Sequence, residues 1–182
     1  MHFSALFTHC PACGSDKFSQ NNIKSKRCES CGFVFYMNPS AAVACFILNT
    51  SGQLLVCRRG KNPEKGTLDL PGGFVDDNET AEEAVKREIG EELQATVIES
   101  KYLFSLPNQY EYSGLLIPTL DMFFACKLED TNNLHASDDV ADCFFVPLDE
   151  LDPELFGLKS IKKAIARFLD KGFATSTGNL DR

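Results

Sequence analysis

Between Asp76 and Glu92 the chain holds eight acids and two bases, Lys86 and Arg87. Three of those acids, Glu88, Glu91 and Glu92, fall within an arc of roughly 100° on a helix drawn at about 100° per residue. Like charges at i,i+3 and i,i+4 destabilise an isolated helix by about 0.2–0.5 kcal/mol per pair, a cost this helix bears several times. A cluster of hard oxygen donors on one rigid face suits Mg2+ or Mn2+. Glu-rich helices are ordinarily solvated faces, and three details point elsewhere here. Ala81 and Ala84 share the glutamate face, so nothing bulky screens it. Val85, Ile89 and Leu93 recur every fourth residue along an adjoining stripe and would pack the helix beside its acids. Leu70-Pro71-Gly72-Gly73 leads into the segment, and glycine there lets the backbone come close to a ligand or metal.

A second ligand set lies near the N-terminus. Cys10-Pro11-Ala12-Cys13-Gly14 and Cys28-Glu29-Ser30-Cys31-Gly32 form two CxxC knuckles separated by 14 residues. Four thiolates at this spacing can close a tetrahedral Zn2+ site. Disulfides are the competing use of such cysteines. The first nine residues lack the basic start and apolar run of a secretory signal. Cys45, Cys57, Cys126 and Cys143 lie singly in apolar, strand-like segments and read as small buried hydrophobes in a reducing compartment, which places the chain in the cytoplasm.

These ligands need elements to hold them. The acidic helix is expected to start at Thr80, because Thr80-x-x-Glu83 is a capping box. Ala41–Asn49 and Leu54–Arg58 are expected strands around the turn Thr50-Ser51-Gly52, followed by a polar loop over Lys61–Gly66. Val97–Leu106 and Leu115–Leu128 read as strands joined by a tyrosine-bearing loop, and Cys143–Pro147 as a shorter one. Leu158–Leu169 has helical periodicity and should pack on the sheet. In the ribbon, Phe33 and Phe35 alternate as a short strand would. Gly90 inside the acidic helix costs about 1 kcal/mol relative to Ala.

Length and composition bound the rest. At 182 residues the chain can hold one full-sized domain and a small one. The longest apolar run, Ala41 to Leu48, is too short to span a bilayer, so no membrane partner is expected. The net charge of −8 disfavours general nucleic-acid binding. Residues 1–38 hold four bases and two acids, so the negative charge resides in the remainder.

The acidic segment also resembles a known family. Gly73, five residues, Glu79, seven residues, Arg87-Glu88-Ile89, one residue and Glu91-Glu92 matches the signature of the Nudix hydrolases. The family pattern continues with Gly and an aliphatic residue after Leu93, where this chain has Gln94-Ala95. The resemblance covers about residues 40–170. It implies an α+β fold, an α/β/α sandwich with a mixed sheet, preceded by a small zinc ribbon. The expected division is 1–38 for the ribbon, 39–172 for the main domain and 173–182 for a flexible tail. The knuckles followed by Asn38-Pro39 are similar to the zinc-ribbon subgroup that includes NADH pyrophosphatases. That subgroup's Ser-Gln-Pro-Trp-Pro-Phe-Pro segment is represented only by Ser105-Leu106-Pro107-Asn108-Gln109-Tyr110, and the chain has no Trp.

What the resemblance implies is hydrolysis of a nucleoside diphosphate linked to another moiety, such as NADH or ADP-ribose. Dinucleoside polyphosphates are an alternative, and so is a non-catalytic nucleotide-binding regulator that keeps the ribbon. Glu88, Glu91 and Glu92, with the carbonyl of Gly73, would hold the catalytic Mg2+ or Mn2+. Arg87 would pair with Glu79 and keep Glu88 in register. The general base is either Glu91 or Glu92 of the helix, or Asp139 in the loop Ser137-Asp138-Asp139-Val140. Arg58 and Arg59 are phosphate candidates, of which at most one can face the site because neighbouring strand residues point to opposite faces. Tyr110 and Tyr112 could stack on a base. The expected partners are a small-molecule nucleotide and, in a homodimer, a second copy of the chain.

Overall fold

The computed structural model describes residues 3–171, and the expected tail at 173–182 lies outside them. The chain divides into two compact units, one of residues 1–40 with 109–119 and one of residues 41–108 with 120–182.

In the first unit, a single helical turn, α1 (Phe3–Leu6), precedes three strands: β1 (Phe18–Asn22), β2 (Ser25–Cys28) and β3 (Val34–Tyr36). They pair antiparallel in the order β1-β2-β3. The sequence pointed to one strand here, and the structure has three. A small apolar cluster of Cys10, Phe18 and Cys28, with Phe7 and Phe35 against it, fills one face. Lys26 is buried in that cluster, its Nζ donating to the Phe7 carbonyl (2.6 Å) and lying 5.0 Å from the Phe18 ring centre. The stem of a lysine is apolar enough to be packed this way when its head finds a partner.

Next, β4 (Ser40–Ile47), β8 (Leu115–Leu128) and β7 (Val97–Tyr112) form one sheet in the order β4-β8-β7, the strand residues within 109–119 grouping with the first unit and nearly all the rest with the second. A second sheet has the order β6-β5-β9, from β6 (Leu68–Asp69), β5 (Leu54–Arg59) and β9 (Val140–Val146). Alternate residues along these strands feed two cores. Val43, Cys45, Leu55, Cys57 and Phe124 face α2 (Ala81–Leu93), while Ala44, Phe46, Leu54, Val56 and Phe123 face α3 (Lys159–Lys171). Strands buried on both faces read as continuous apolar runs, which is why Ala41–Leu48 looks uninterrupted in the sequence. The result is the expected α/β/α sandwich.

The tyrosine segment differs from expectation. It belongs to β7, which runs on to Tyr112 and turns at Ser113-Gly114 into β8. Both turn residues have positive φ (50° and 77°), the conformation that matches the twist of a two-residue hairpin. Pro107 is tolerated because β7 is an edge strand.

Candidate active site

The helix α2 starts as its sequence dictates. The Thr80 hydroxyl accepts from the Glu83 N–H, and the Glu83 carboxylate accepts from the Thr80 N–H. Val85, Ile89 and Leu93 are fully buried and fix the helix against the sheet. The helix ends at Gln94, which takes the left-handed conformation (φ 53°, ψ 36°) that glycine adopts most readily. Its N–H reaches the Gly90 carbonyl at 3.1 Å.

The Pro-Gly-Gly segment runs antiparallel beside β4, with Cys45 N–H donating to the Pro71 carbonyl and Val43 N–H to the Gly73 carbonyl. Gly72 has φ 143°, and a Cβ there would lie 2.2 Å from the Val43 oxygen. A Cβ on Gly73 would lie 2.4 Å from Glu88 Oε1. Gly72 therefore excludes a side chain because of the β4 backbone, whereas a side chain at Gly73 would displace the Glu88 carboxylate. The Gly72 N–H donates to Glu92 Oε2 at 2.9 Å. Glu92 is only 7% exposed. Burial pushes its carboxyl up to about 8 against the pull of the Gly72 N–H, and the nearby charges of Glu88, Asp69 and Asp139 push the same way.

Arg87 organises the remaining acids. Its Nε and Nη2 donate to the two Glu79 oxygens (2.8 and 2.9 Å), and Nη2 also donates to the Phe74 carbonyl (2.8 Å). Its Nη1 donates to Glu88 Oε1 (2.8 Å) and Glu91 Oε2 (3.0 Å). These bonds use every N–H direction that a guanidinium offers. Glu79 is held below the usual carboxylate range by Arg87, while burial raises Glu88.

The loop after Leu134 is tied to the far end of α2. Ser137 N–H donates to the Glu92 carbonyl (2.9 Å), and its hydroxyl donates to the Glu91 carbonyl. Asp139 follows, paired with Lys61. Arg58 donates to the Gly66 carbonyl (2.9 Å) and lies over the Phe144 ring. Arg59 donates to the Pro63 carbonyl (2.7 Å) and pairs with Asp69. Tyr110 and Tyr112 are two apart on the extended β7, within residues that group with the first unit.

Sequence reasoning missed Asp69 and Lys61. Asp69 is buried directly before Leu70-Pro71, and desolvation raises its carboxyl despite Arg59. Its signal was there to read: an acid between Leu68 and Leu70 in an apolar stretch needs a buried partner. Lys61 carried no signal, because its aspartate partners lie more than 70 residues away in sequence.

The cysteines converge more tightly than the carboxylates. Cys10 and Cys31 sulfurs are 3.7 Å apart, Cys13 and Cys28 sulfurs 3.6 Å, and all four lie within 4.8 Å of one another. A tetrahedron with Zn–S bonds of about 2.3 Å has edges of about 3.8 Å, so the cluster fits a zinc ribbon. The Cys31 backbone N–H pulls the Cys28 thiol below its ordinary range, while Cys13, against the pull of the Ser15 backbone, is pushed up by the neighbouring sulfurs of Cys31 and Cys28. Among the described residues the cysteines are the group that closes to this degree; of the glutamates, Glu88 and Glu91 share Arg87 Nη1 and Glu92 is held by the Gly72 N–H. Their hard oxygens, with Glu88 lying against Gly73, nonetheless suit an oxygen-seeking divalent ion.

The chain is similar to known proteins. The chain is 32% identical over 121 residues to the NAD-capped RNA hydrolase NudC of Deinococcus radiodurans, an alignment covering 65% of this chain and 43% of that protein. It is 41% identical over 76 residues to the ADP-ribose pyrophosphatase of Methanocaldococcus jannaschii, covering 42% of this chain and 43% of that one. The chain thus spans less than half the length of these curated relatives. A NUDIX hydrolase from Nitrosomonas europaea has the same fold, with a TM-score of 0.68 at 22% identity over 90% of each chain. The family model described as the NUDIX domain matches residues 38–169, so the chain belongs to the NUDIX family.

Proposed function

We propose that this protein is a metal-dependent pyrophosphohydrolase that cleaves a nucleoside diphosphate linked to a second group, with NADH and ADP-ribose as the leading substrates. The observation that carries the reading is the seating of Glu88 on Gly73 and of Glu92 on Gly72, which sets two acids of one helix against one glycine turn. Relatives named for hydrolysis of NAD-capped RNA and of ADP-ribose support it. Glu88, Glu91 and Glu92, with the Gly73 carbonyl, are the residues that would hold Mg2+ or Mn2+. The Gly73 carbonyl already accepts from Val43 and keeps a second lone pair for this purpose. When bound, such ions neutralise the pyrophosphate and lower the pKa of an attacking water.

The chain's own groups do the rest. Arg87 fixes the carboxylates from behind, leaving no N–H of its own for substrate. Gly72 orients Glu92. Asp139, Glu91 or Glu92 takes the proton of the attacking water. Arg58 and Arg59 brace the loop after β5 and are the phosphate candidates; Arg59, paired with the Asp69 that lies opposite Cys57, is the one on the α2 side. Tyr110 and Tyr112 are base-stacking candidates. Cys10, Cys13, Cys28 and Cys31 would hold one structural Zn2+. A division into 1–38 and 39–172, a cytoplasmic location and a homodimer complete the reading. Among the described residues no helix is long and apolar enough to cross a membrane.

The test is release of mononucleotide from NADH, ADP-ribose, dinucleoside polyphosphates and NAD-capped RNA, each with Mg2+ and with Mn2+. Cleavage of none of them, with nucleotide still bound, would favour the regulatory alternative. Preference for capped RNA over free NADH would carry the Deinococcus relative's named activity to this chain. Sedimentation at micromolar concentration decides the homodimer.

A further inference from the structure

The loop that follows β5 opens with Gly60-Lys61. Arg58 and Arg59 brace it from the strand end, through the Gly66 and Pro63 carbonyls, and Gly66 N–H returns to the Arg59 carbonyl at 2.9 Å. Gly60 N–H donates to the Asp139 carbonyl at 2.8 Å, and a Cβ on Gly60 would lie 2.9 Å from that same oxygen. The Asp139 loop is therefore clamped at both ends, by Gly60 on one side and by Ser137 bound to the Glu91 and Glu92 carbonyls on the other. Between the clamps Asp138 takes a left-handed φ of 53°. Lys61 reaches across to both aspartates, pairing with Asp139 and lying 3.5 Å from Asp138.

We propose that Lys61 is a positioning residue for Asp139, its ammonium holding the Asp139 carboxylate beside the acid end of α2. The inference rests on the hydrolase reading and on Asp139 as its general base. Both side chains are more than half exposed, and ion pairs of that kind add little to stability. The pair's value is therefore orientation. Two adjacent aspartates repel each other. A cation between the aspartates fixes which way Asp139 turns.

The experiment is a double-variant cycle on kcat and KM with Mg2+ and the best-cleaved compound of the panel above. Lys61→Met should lower kcat about tenfold with KM changed by less than about twofold, since a misplaced base loses part of its usual 10²–10⁴-fold contribution. Lys61→Arg should recover most of that loss. In an Asp139→Asn background, Lys61→Met should cost nothing further. Multiplying losses in the double variant, unchanged kinetics, or a KM rise at constant kcat would each overturn the proposal and leave the hydrolase reading standing. A wild-type protein inert toward the whole panel would overturn the hydrolase reading and this inference with it.

Discussion

The cysteine cluster and the glutamate cluster handle the same problem in opposite ways. Each gathers like ligands that repel when ionised. In the ribbon, four sulfurs stand at tetrahedral spacing, with two of them buried. In the glutamate site, Arg87 Nη1 bridges Glu88 and Glu91 and partly neutralises them, while the Gly72 N–H holds Glu92. A closed, soft site is a structural device, bound once and kept. A hard, open site with an internal counter-cation suits ions that come and go with substrate. The difference teaches that a ligand cluster alone does not say what its metal is for. What separates the two is that Arg87 pairs directly with the glutamates, whereas the cysteine sulfurs lie against one another.

The sharpest way to break this contrast is to remove one ligand from each side. Cys28→Ser should take bound zinc from one equivalent to none by elemental analysis and disorder residues 1–40. The cores around α2 and α3 are built from second-unit residues and should keep their main unfolding transition. Loss of that transition too would show that the first unit is not independently closed.

Glu92→Gln is the counterpart. Metal sites contribute several kcal/mol of charge stabilisation to hydrolysis, so kcat should fall about a thousandfold. The protein should remain folded or become more stable, because a buried acid and its like-charge repulsion are removed. Wild-type turnover in this variant, or full activity in excess EDTA, would refute the metal role. Arg87→Lys keeps one charge and loses the forked geometry that Glu79, Glu88 and Glu91 share. About a tenfold to hundredfold fall in kcat is expected, with partial recovery at high Mg2+.

Much of this contrast was legible before any coordinates. The capping box, the 85/89/93 stripe and the paired knuckles are local patterns, and local patterns survive in a sequence. The fate of the two arginines was not legible. Adjacent strand residues must point apart, but nothing nearby in sequence says that Arg59 turns to a buried Asp69. Asp69 is itself the clue that escaped notice. The Lys61 pair depends on β9 closing against β5, with Arg59 opposite Val140 across a register shift, a long-range contact that no window reveals. The tyrosine segment was misjudged because Pro107 and Asn108 look like loop residues, whereas an edge strand accommodates them.

The pH response sharpens the comparison with a smaller effect. In the metal-free protein the Glu92 carboxyl sits near 8, against an ordinary value of 4.5. Between those values the unfolded chain releases a proton that the folded chain retains, so stability falls as pH rises through this window and levels off above about 8. Mg2+ competes with that proton, so the rise in Tm on adding Mg2+ should be larger at pH 8 than at pH 6. Glu92→Gln should abolish the difference. An equal Mg2+ effect at both pH values would detach Glu92 from the metal.

The smallest expected effect concerns the end of the acidic helix. Gln94 holds a left-handed conformation that costs an L-residue about 1–2 kcal/mol. Glycine avoids that cost but gives back part of it through the greater freedom of the unfolded chain. Gln94→Gly should therefore raise stability by about 0.5–1 kcal/mol, a Tm gain of about 1–4 °C in a chain of this size. Gln94 is exposed and lies past the glutamates, so kcat should not change. Gly90→Ala should add a similar amount, because nothing lies within 4 Å of the added Cβ and helix propensity favours alanine by about 1 kcal/mol. If Gly90→Ala is stabilising yet slows turnover, the bare backbone at that position serves the ligand site rather than the fold. Zinc content should stay the same in both variants, since neither touches the cysteine cluster.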